Sequence, residues 1–159
     1  IKTKEEIHEE RFAEAKTADD FYELGRWAEE NGFDAVIIDC FGDPSIEAAR
    51  EVANIPVVGA NHSACFLAAQ IAHRFSIINT LPEMEPQIRS LLAKYGLLQH
   101  LASIETIHVP VLELEKEPEK TIQKIVHASK KAYREVNQGM IIYDKFAIRT
   151  RGKESAYRG

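Results

Sequence analysis

The chain has 159 residues, of which 45% are hydrophobic and 28% charged, and its net charge is −5 with neutral histidines. This length and composition predict one globular domain and exclude two domains of ordinary size. No apolar run approaches the roughly 20 residues of a membrane span, and an acidic chain lacks the basic surface excess that nucleic-acid binding needs.

The two ends of the chain carry charge rather than apolar residues. The amino end, "IKTKEEIHEERF", has no apolar segment and no cleavage site of a secretion signal, so we predict a cytoplasmic protein. The carboxyl end, residues 147–159, is basic and contains glycine. We predict that the domain spans residues 1–146 and that 147–159 form a disordered or interacting tail.

The first part of the chain predicts a helix, a strand and a second helix. Residues 3–31 have the charge and spacing of a helix that Asn31-Gly32 ends. Its apolar residues recur on one face: Phe21, Leu24, Trp27 and Ala28. "DAVIID", residues 34–39, is a short apolar run that predicts a strand buried on both faces. Asp43-Pro44 then predicts an N-cap and first position of a helix that runs to about Val52.

The middle of the chain alternates in the same way. "IPVVGA", residues 55–60, and "FSIINT", residues 75–80, predict strands, and residues 63–73 between them predict a helix of small residues. Residues 83–104 predict a helix interrupted by Gly96.

The last part of the chain predicts three further elements. Residues 106–114 indicate an extended segment, 118–136 a long amphipathic helix, and 140–143 a strand. The residues of the long helix that we expect to face inward are Ile122, Ile125, Val126 and Ala132.

Strands that alternate with helices predict an α/β fold, here a three-layer sandwich with a mostly parallel sheet. Ligands of such folds collect at the carboxyl ends of the strands. Cys40, Thr80 and the residues after Tyr143 are therefore expected at that edge.

An internal similarity suggests two related halves. "AVIIDCF", residues 35–41, can be laid over "MIIYDKF", residues 140–146, so that Asp39 matches Asp144 and Cys40 falls on Lys145. Buried strands are similar enough to one another that such a match also arises by chance.

The two cysteines call for separate interpretations, because Cys40 and Cys65 form no CxxC pair and predict neither a zinc site nor a disulfide. Cys40 follows a strand in a turn, where backbone N–H groups favour anions, while Asp39 and Asp43 oppose them. It is either a reactive thiol or a small buried residue that ends the strand. Cys65, in a predicted helix among apolar residues, is interpreted as core.

Polar residues near other strand ends complete the candidate site. These polar residues are Asn61, His62, Asn79 and Thr80, and we expect them to bind substrate together with Phe41, Gly42 and Asp43 of the turn after Cys40. Asn61 and His62 could equally cap a helix that begins at Ser63. No glycine-rich phosphate loop follows a strand, and no metal, flavin, nicotinamide or pyridoxal cofactor is predicted.

The stretch "DAVIIDCFGDPSIEAAREVANIPVVGA" resembles the aspartate/glutamate/hydantoin racemase superfamily, and most closely its hydantoin racemase branch. Cys-Phe-Gly-Asp-Pro, with Ile-Pro-Val-Val-Gly at residues 55–59, carries the likeness. "HRFSIINTLPEMEPQI" and "EIHEERFAEA" are similar to neighbouring segments of that branch, and Thr80 matches a threonine at a strand end.

The resemblance implies cofactor-independent proton transfer at the carbon next to a carbonyl, with a hydantoin or amino-acid type substrate. Two cysteines, one from each pseudo-symmetric half, would face opposite sides of that carbon, and Cys40 matches the first. The internal alignment places Lys145 where the family has the second, and the alternative is a solvated lysine at the start of the tail. Exposed sheet edges and helix faces would favour a homo-oligomer.

The sequence departs from that branch at both ends. The opening strand with its Asn-Pro-Asn-Thr turn, the Gly-Cys-Ala-Gly-Met turn and the terminal helix and strand have no counterpart. Three accounts remain open: a divergent racemase of impaired activity, a protein that binds a small molecule or assembles without turnover, and a fragment of a longer enzyme. A malonate decarboxylase fits less well, because its cysteine lies in the second half.

Overall fold

The computed structural model describes residues 18–136 and 139–143. They belong to two compact units, one that ends at Leu67 and one that begins at Ala68. The predicted helical residues 3–17, Asp144, Lys145 and the tail 147–159 lie outside the described residues. None of the described helices is both long and apolar enough to span a membrane.

The first unit contains two parallel strands and the helices that connect them. Its elements are α1 (Ala18–Glu30), β1 (Val36–Ile38), α2 (Ile46–Val52), β2 (Val57–Gly59) and the first part of α3 (Ala60–Ile71). Val36 pairs with Val57 and Ile38 with Gly59, so the two strands end at the same edge. This edge places the turn after β1 beside the start of α3, which follows β2 directly.

The core of the first unit lies between the strands and the helices. Its buried members are Ala28, Val36, Ile38, Ile46, Ala49 and Val57. Complete burial of a side chain such as Ile38 contributes about 1.5–3 kcal/mol. Ile37, between two buried neighbours on β1, is 61% exposed. The expectation of a strand buried on both faces is therefore wrong for β1, whose side chains alternate between core and surface.

The second unit is built on a parallel sheet of three strands, of which the first in sequence lies in the middle. Its strands and helices are β3 (Phe75–Asn79), α4 (Glu85–Lys94), β4 (Leu101–Thr106), α5 (Pro118–Val136) and β5 (Met140–Tyr143). The central strand β3 is buried at all five positions. With all described strand pairs parallel and helices between the strands, the α/β class is confirmed.

The predicted helix over 83–104 is wrong beyond Lys94. Gly96 has φ +71°, and the N–H groups of Gly96 and Leu97 donate to the carbonyl oxygens of Ala93 and Leu92 at 3.1 and 2.8 Å. These hydrogen bonds close the helix in a left-handed glycine cap. The residues after it form β4, which pairs with β3, so that pairing outweighs the local helical pattern.

Two further expectations for the second unit need correction. The predicted extended segment 106–114 contains a 3-10 turn at Val111–Glu113 after Pro110. On α5, Ala132 is buried and Ile125 packs against the core, but Ile122 and Val126 are 42% and 44% exposed. Thr121 and Ala128 complete the buried face instead. Where apolar residues are adjacent in sequence, periodicity does not decide which one the sheet covers.

Candidate active site

Cys40 lies two residues after the end of β1 and opens a tight turn. The backbone N–H of Asp43 donates to the carbonyl oxygen of Cys40 at 2.9 Å, which closes the turn over Phe41 and Gly42. The thiol is exposed, whereas the Phe41 side chain is 7% exposed and belongs to the core. Exposure removes the interpretation of Cys40 as a small buried residue that ends a strand.

Asp43 is buried and holds the start of α3. Its Oδ1 accepts the backbone N–H of Asn61 at 3.0 Å, and its Oδ2 accepts that of His62 at 2.8 Å. Both donors lie in the first turn of α3, where N–H groups have no partner within the helix. The carboxylate also complements the positive end of the helix dipole.

The prediction that Asp43 is the N-cap of the following helix is wrong. That helix, α2, begins at Ile46, and its N-cap residue is Ser45, whose side chain makes no capping hydrogen bond. Asp43 and Ser45 have positive φ values of 42° and 53°. These left-handed residues turn the Asp43 side chain away from α2 and toward α3, which lies 18 residues further along the chain.

Asn61 ties α3 to the same turn from the other side. Its Nδ2 donates to the carbonyl oxygen of Phe41 at 3.0 Å, and the side chain is completely buried. Its Oδ1 is buried and makes no hydrogen bond. The interpretation of Asn61 and His62 as caps of a helix that begins at Ser63 is wrong. The helix α3 begins at Ala60, and the two residues belong to its first turn.

His62 is half-buried and has contacts on two sides. Its backbone N–H donates to Asp43, and its ring packs edge-on against Phe66 with ring centroids 4.6 Å apart. Packing against Phe66 thus holds the ring, while the backbone N–H of His62 takes part in the capping of α3 by Asp43.

Gly59 makes the approach of Asp43 possible, and it is the residue that sequence analysis missed. A Cβ at Gly59 would lie 2.6 Å from Oδ1 of Asp43 and 2.7 Å from Cδ1 of Ile46. The signal in the sequence was a glycine between an apolar strand and a helix, where a backbone approaches another group closely.

Asn79 and Thr80 lie in the second unit, at the carboxyl end of β3. The Asn79 side chain serves the local backbone: its Oδ1 accepts the N–H of Thr80 at 2.8 Å, and its Nδ2 donates to the carbonyl oxygen of Leu81. The carbonyl oxygens of Asn79 and Thr80 accept the N–H groups of Ile107 and Val109 at 2.9 and 3.1 Å. Both residues are buried, and they shape the turn after β3.

Cys65 is confirmed as a core residue. It is completely buried on α3, and burial, aided by the nearby Asp43 carboxylate, raises the pKa of its thiol to about 12. A thiol with this pKa stays protonated near neutral pH. Within residues 18–136 and 139–143, no group of three or more His, Cys, Asp or Glu side chains could hold a metal ion.

The structure therefore collects one set of predicted site residues around Cys40. Phe41, Gly42, Asp43, Asn61 and His62 form a cluster in the first unit, joined by the turn and by hydrogen bonds to α3. Asn79 and Thr80 are neighbours in the second unit. The predicted second-face residue, Lys145, lies outside the described residues.

Known proteins match most of this chain. The sequence model of the Asp/Glu/Hydantoin racemase family matches residues 3–142. A hydantoin racemase of Pseudomonas sp. (strain NS671) is 39% identical over 114 residues, which are 72% of this chain and 46% of that protein. A hydantoin racemase of Rhizobium meliloti is 44% identical over 95 residues, 60% of this chain and 39% of that protein.

A solved structure shares the fold. An allantoin racemase from Klebsiella pneumoniae superposes with a TM-score of 0.76 and 38% sequence identity, over 80% of this chain and 52% of that one. The chain thus spans about half the length of the curated relatives and of the solved structure that it matches. The family match covers nearly all of the described residues, Cys40 and its turn included, and the resemblance inferred from the sequence is confirmed. The chain belongs to the Asp/Glu/hydantoin racemase family.

Proposed function

We propose that the protein acts as a cofactor-independent racemase on a cyclic ureide of the hydantoin type, with the Cys40 thiol as one of its proton-transfer groups. The observation that carries the proposal is the exposed thiol of Cys40 at the first position of a turn, in a chain of the racemase family. The other cysteine, Cys65, is buried with a raised pKa, so Cys40 is the thiol that a substrate can reach.

The relatives support the substrate class. The names of the matching proteins include hydantoin racemase and allantoin racemase. Hydantoin and allantoin share a five-membered ring in which a carbon bearing the exchangeable hydrogen lies next to a carbonyl group. Removal of that hydrogen leaves a charge that the carbonyl oxygen accepts, so a general base near neutral pH suffices.

The proposed step balances in protons without an added reagent. The Cys40 thiolate takes the proton, so that the carbon–hydrogen bond breaks, a sulfur–hydrogen bond forms and the electron pair moves onto the carbonyl oxygen as an enolate. Return of a proton to the opposite face gives the other enantiomer, and a positioned base and acid each contribute about 10²–10⁴ in rate. Lys145 is our candidate for the opposite face.

Lys145 is a mismatched partner for a thiol if its ammonium group is solvated, because lysine ordinarily titrates well above cysteine. We therefore expect the chain to exchange the hydrogen of a bound substrate with solvent faster than it inverts the centre. Exchange needs the thiol on one face only, whereas inversion needs an acid on the other.

The test compares exchange with inversion in heavy water. NMR of an L-hydantoin substituted at the reacting carbon follows the loss of the signal of the hydrogen on that carbon. Chiral chromatography follows the formation of the other enantiomer. We expect Cys40→Ala to abolish exchange and Cys65→Ala, the matched control for a core thiol, to retain it.

Each outcome decides between the accounts. Rapid inversion that Cys40→Ala abolishes would contradict the one-sided model and require a second-face acid other than a solvated lysine. Exchange that survives Cys40→Ala would refute the role of this thiol. Saturable binding of the hydantoin without exchange would favour a protein that binds the small molecule without turnover.

A further inference from the structure

We propose that Asp43 and Asn61 are positioning residues, which clamp the turn of Cys40 onto the start of α3 and so fix the direction of the thiol. The inference rests on the proposed role of Cys40 and adds to it the residues that hold this group in place. In this role Asp43 and Asn61 support the site and are not ligands of the substrate.

The clamp consists of three hydrogen bonds between two short stretches of chain. The Asp43 carboxylate accepts the N–H groups of Asn61 and His62 at 3.0 and 2.8 Å, and Nδ2 of Asn61 donates to Phe41 at 3.0 Å. Asp43 and Phe41 are the last and second residues of the turn that Cys40 opens. Phe41 and Asp43, on the two sides of Gly42, are thereby hydrogen-bonded to α3, and Cys40 directly precedes Phe41.

Unfavourable features are concentrated at this clamp. Asp43 is a non-glycine residue with φ 42°, a conformation that L side chains rarely adopt. Asn61 keeps Oδ1 buried without a partner while its Nδ2 holds the turn. Strained backbone and an unsatisfied polar atom survive where the surrounding structure imposes a geometry, and such places cluster at functional sites.

The charge of Asp43 gives the clamp a second consequence. The N-terminus of a helix is an anion site, and in α3 the buried carboxylate of Asp43 already occupies the N–H groups of residues 61 and 62. A substrate anion therefore has to be stabilised elsewhere. This agrees with a supporting role for Asp43 instead of direct contact with the reacting molecule.

Gly59 offers an independent way to disturb the clamp. A Cβ at this position would lie 2.6 Å from Oδ1 of Asp43 and 2.7 Å from Cδ1 of Ile46, so the Asp43 carboxylate or the Ile46 side chain, or both, would have to shift. The φ of Gly59 lies outside the left-handed region, so alanine is compatible with the backbone there. Gly59→Ala thus crowds the carboxylate, and Ile46 beside it, without altering a residue of the turn.

The experiment measures the alkylation rate of Cys40 by iodoacetamide in the folded chain, with the rate in urea as the reference. We expect Asp43→Ala, Gly59→Ala and Asn61→Leu to move the rate by about threefold or more toward the unfolded reference. Asp43→Asn, which keeps one acceptor oxygen, should recover part of the parental rate. Asn54→Ala removes another asparagine hydrogen bond in the same unit and should leave the rate unchanged.

A second readout separates positioning from stability. Asn61→Leu removes the unsatisfied oxygen but leaves the Phe41 carbonyl without its donor, so its urea midpoint is measured beside the rates. For the folded variant we expect kcat of hydrogen exchange to fall about tenfold with KM little changed. Parental alkylation rates in folded Asn61→Leu and Asp43→Ala would overturn the inference. If the parent chain shows no hydrogen exchange, the proposed function fails, and the alkylation rates still decide whether the clamp sets the exposure of the thiol.

Discussion

Oδ2 of Asp43 lies 2.8 Å from the backbone nitrogen of His62, so an aspartate that stands before one helix caps the next one instead. The bond joins the loop after β1 to the helix after β2, 19 residues apart in sequence. Since β1 and β2 are parallel and end at the same edge, their pairing brings the two segments together.

We expect Asp43→Ala to lower the free energy of unfolding by about 1–2 kcal/mol. The variant leaves two N–H groups in the first turn of α3 without their acceptor and removes a charge that complements the helix dipole. Urea unfolding measures the difference. The exposed Asp34→Ala serves as the control and should stay within about 0.5 kcal/mol of the parent. Equal midpoints for the two variants would contradict the capping role.

We expect Cys40 to be alkylated by iodoacetamide much faster than Cys65 in the native protein. Cys40 is exposed, whereas Cys65 is fully buried with its pKa raised to about 12, so little reactive thiolate forms there at pH 8. Mass spectrometry of peptides after brief labelling gives both rates, and labelling in urea provides the comparison in which the two thiols should react alike. Equal protection of both thiols in the folded chain would argue against Cys40 as a site residue.

The carboxyl group of Glu29 should titrate below the usual range for glutamate. Its oxygens accept the side-chain Nδ2 of Asn54 at 2.9 Å and the backbone N–H of Asn54 at 3.1 Å, and these hydrogen bonds lower its pKa. A lowered folded-state pKa stabilises the fold above the pKa of the unfolded chain, and this stabilisation is lost as the pH falls through the folded value.

NMR titration of the Glu29 side chain tests this expectation. Asn54→Ala should raise the pKa of Glu29 because it removes the side-chain donor, which is the larger cause of the shift. The exposed Glu51 provides a comparison within the same spectrum. An unchanged titration of Glu29 in the variant would assign the lowered pKa to another group.

Local sequence determined the parts of this protein that depend on neighbours in the chain. The apolar runs located β1, β2, β3 and β5, and the charged and apolar spacing located α1 and α5. The motif around Cys40 identified the family, and the apolar neighbours of Cys65 identified a core thiol. These signals are readable because hydrophobic periodicity and a compact motif are properties of short segments.

Tertiary structure decided the features that depend on pairing between distant segments. Leu101–Thr106 became a strand because β3 offered it a parallel partner, although its own pattern continued a helix. Asp43 became the cap of α3, and Gly59 became necessary, only because parallel pairing of β1 with β2 brings their ends together. A buried carboxylate is stabilised by the N–H groups that lie near it in space, here those of residues 61 and 62, and not by its immediate neighbours in the sequence.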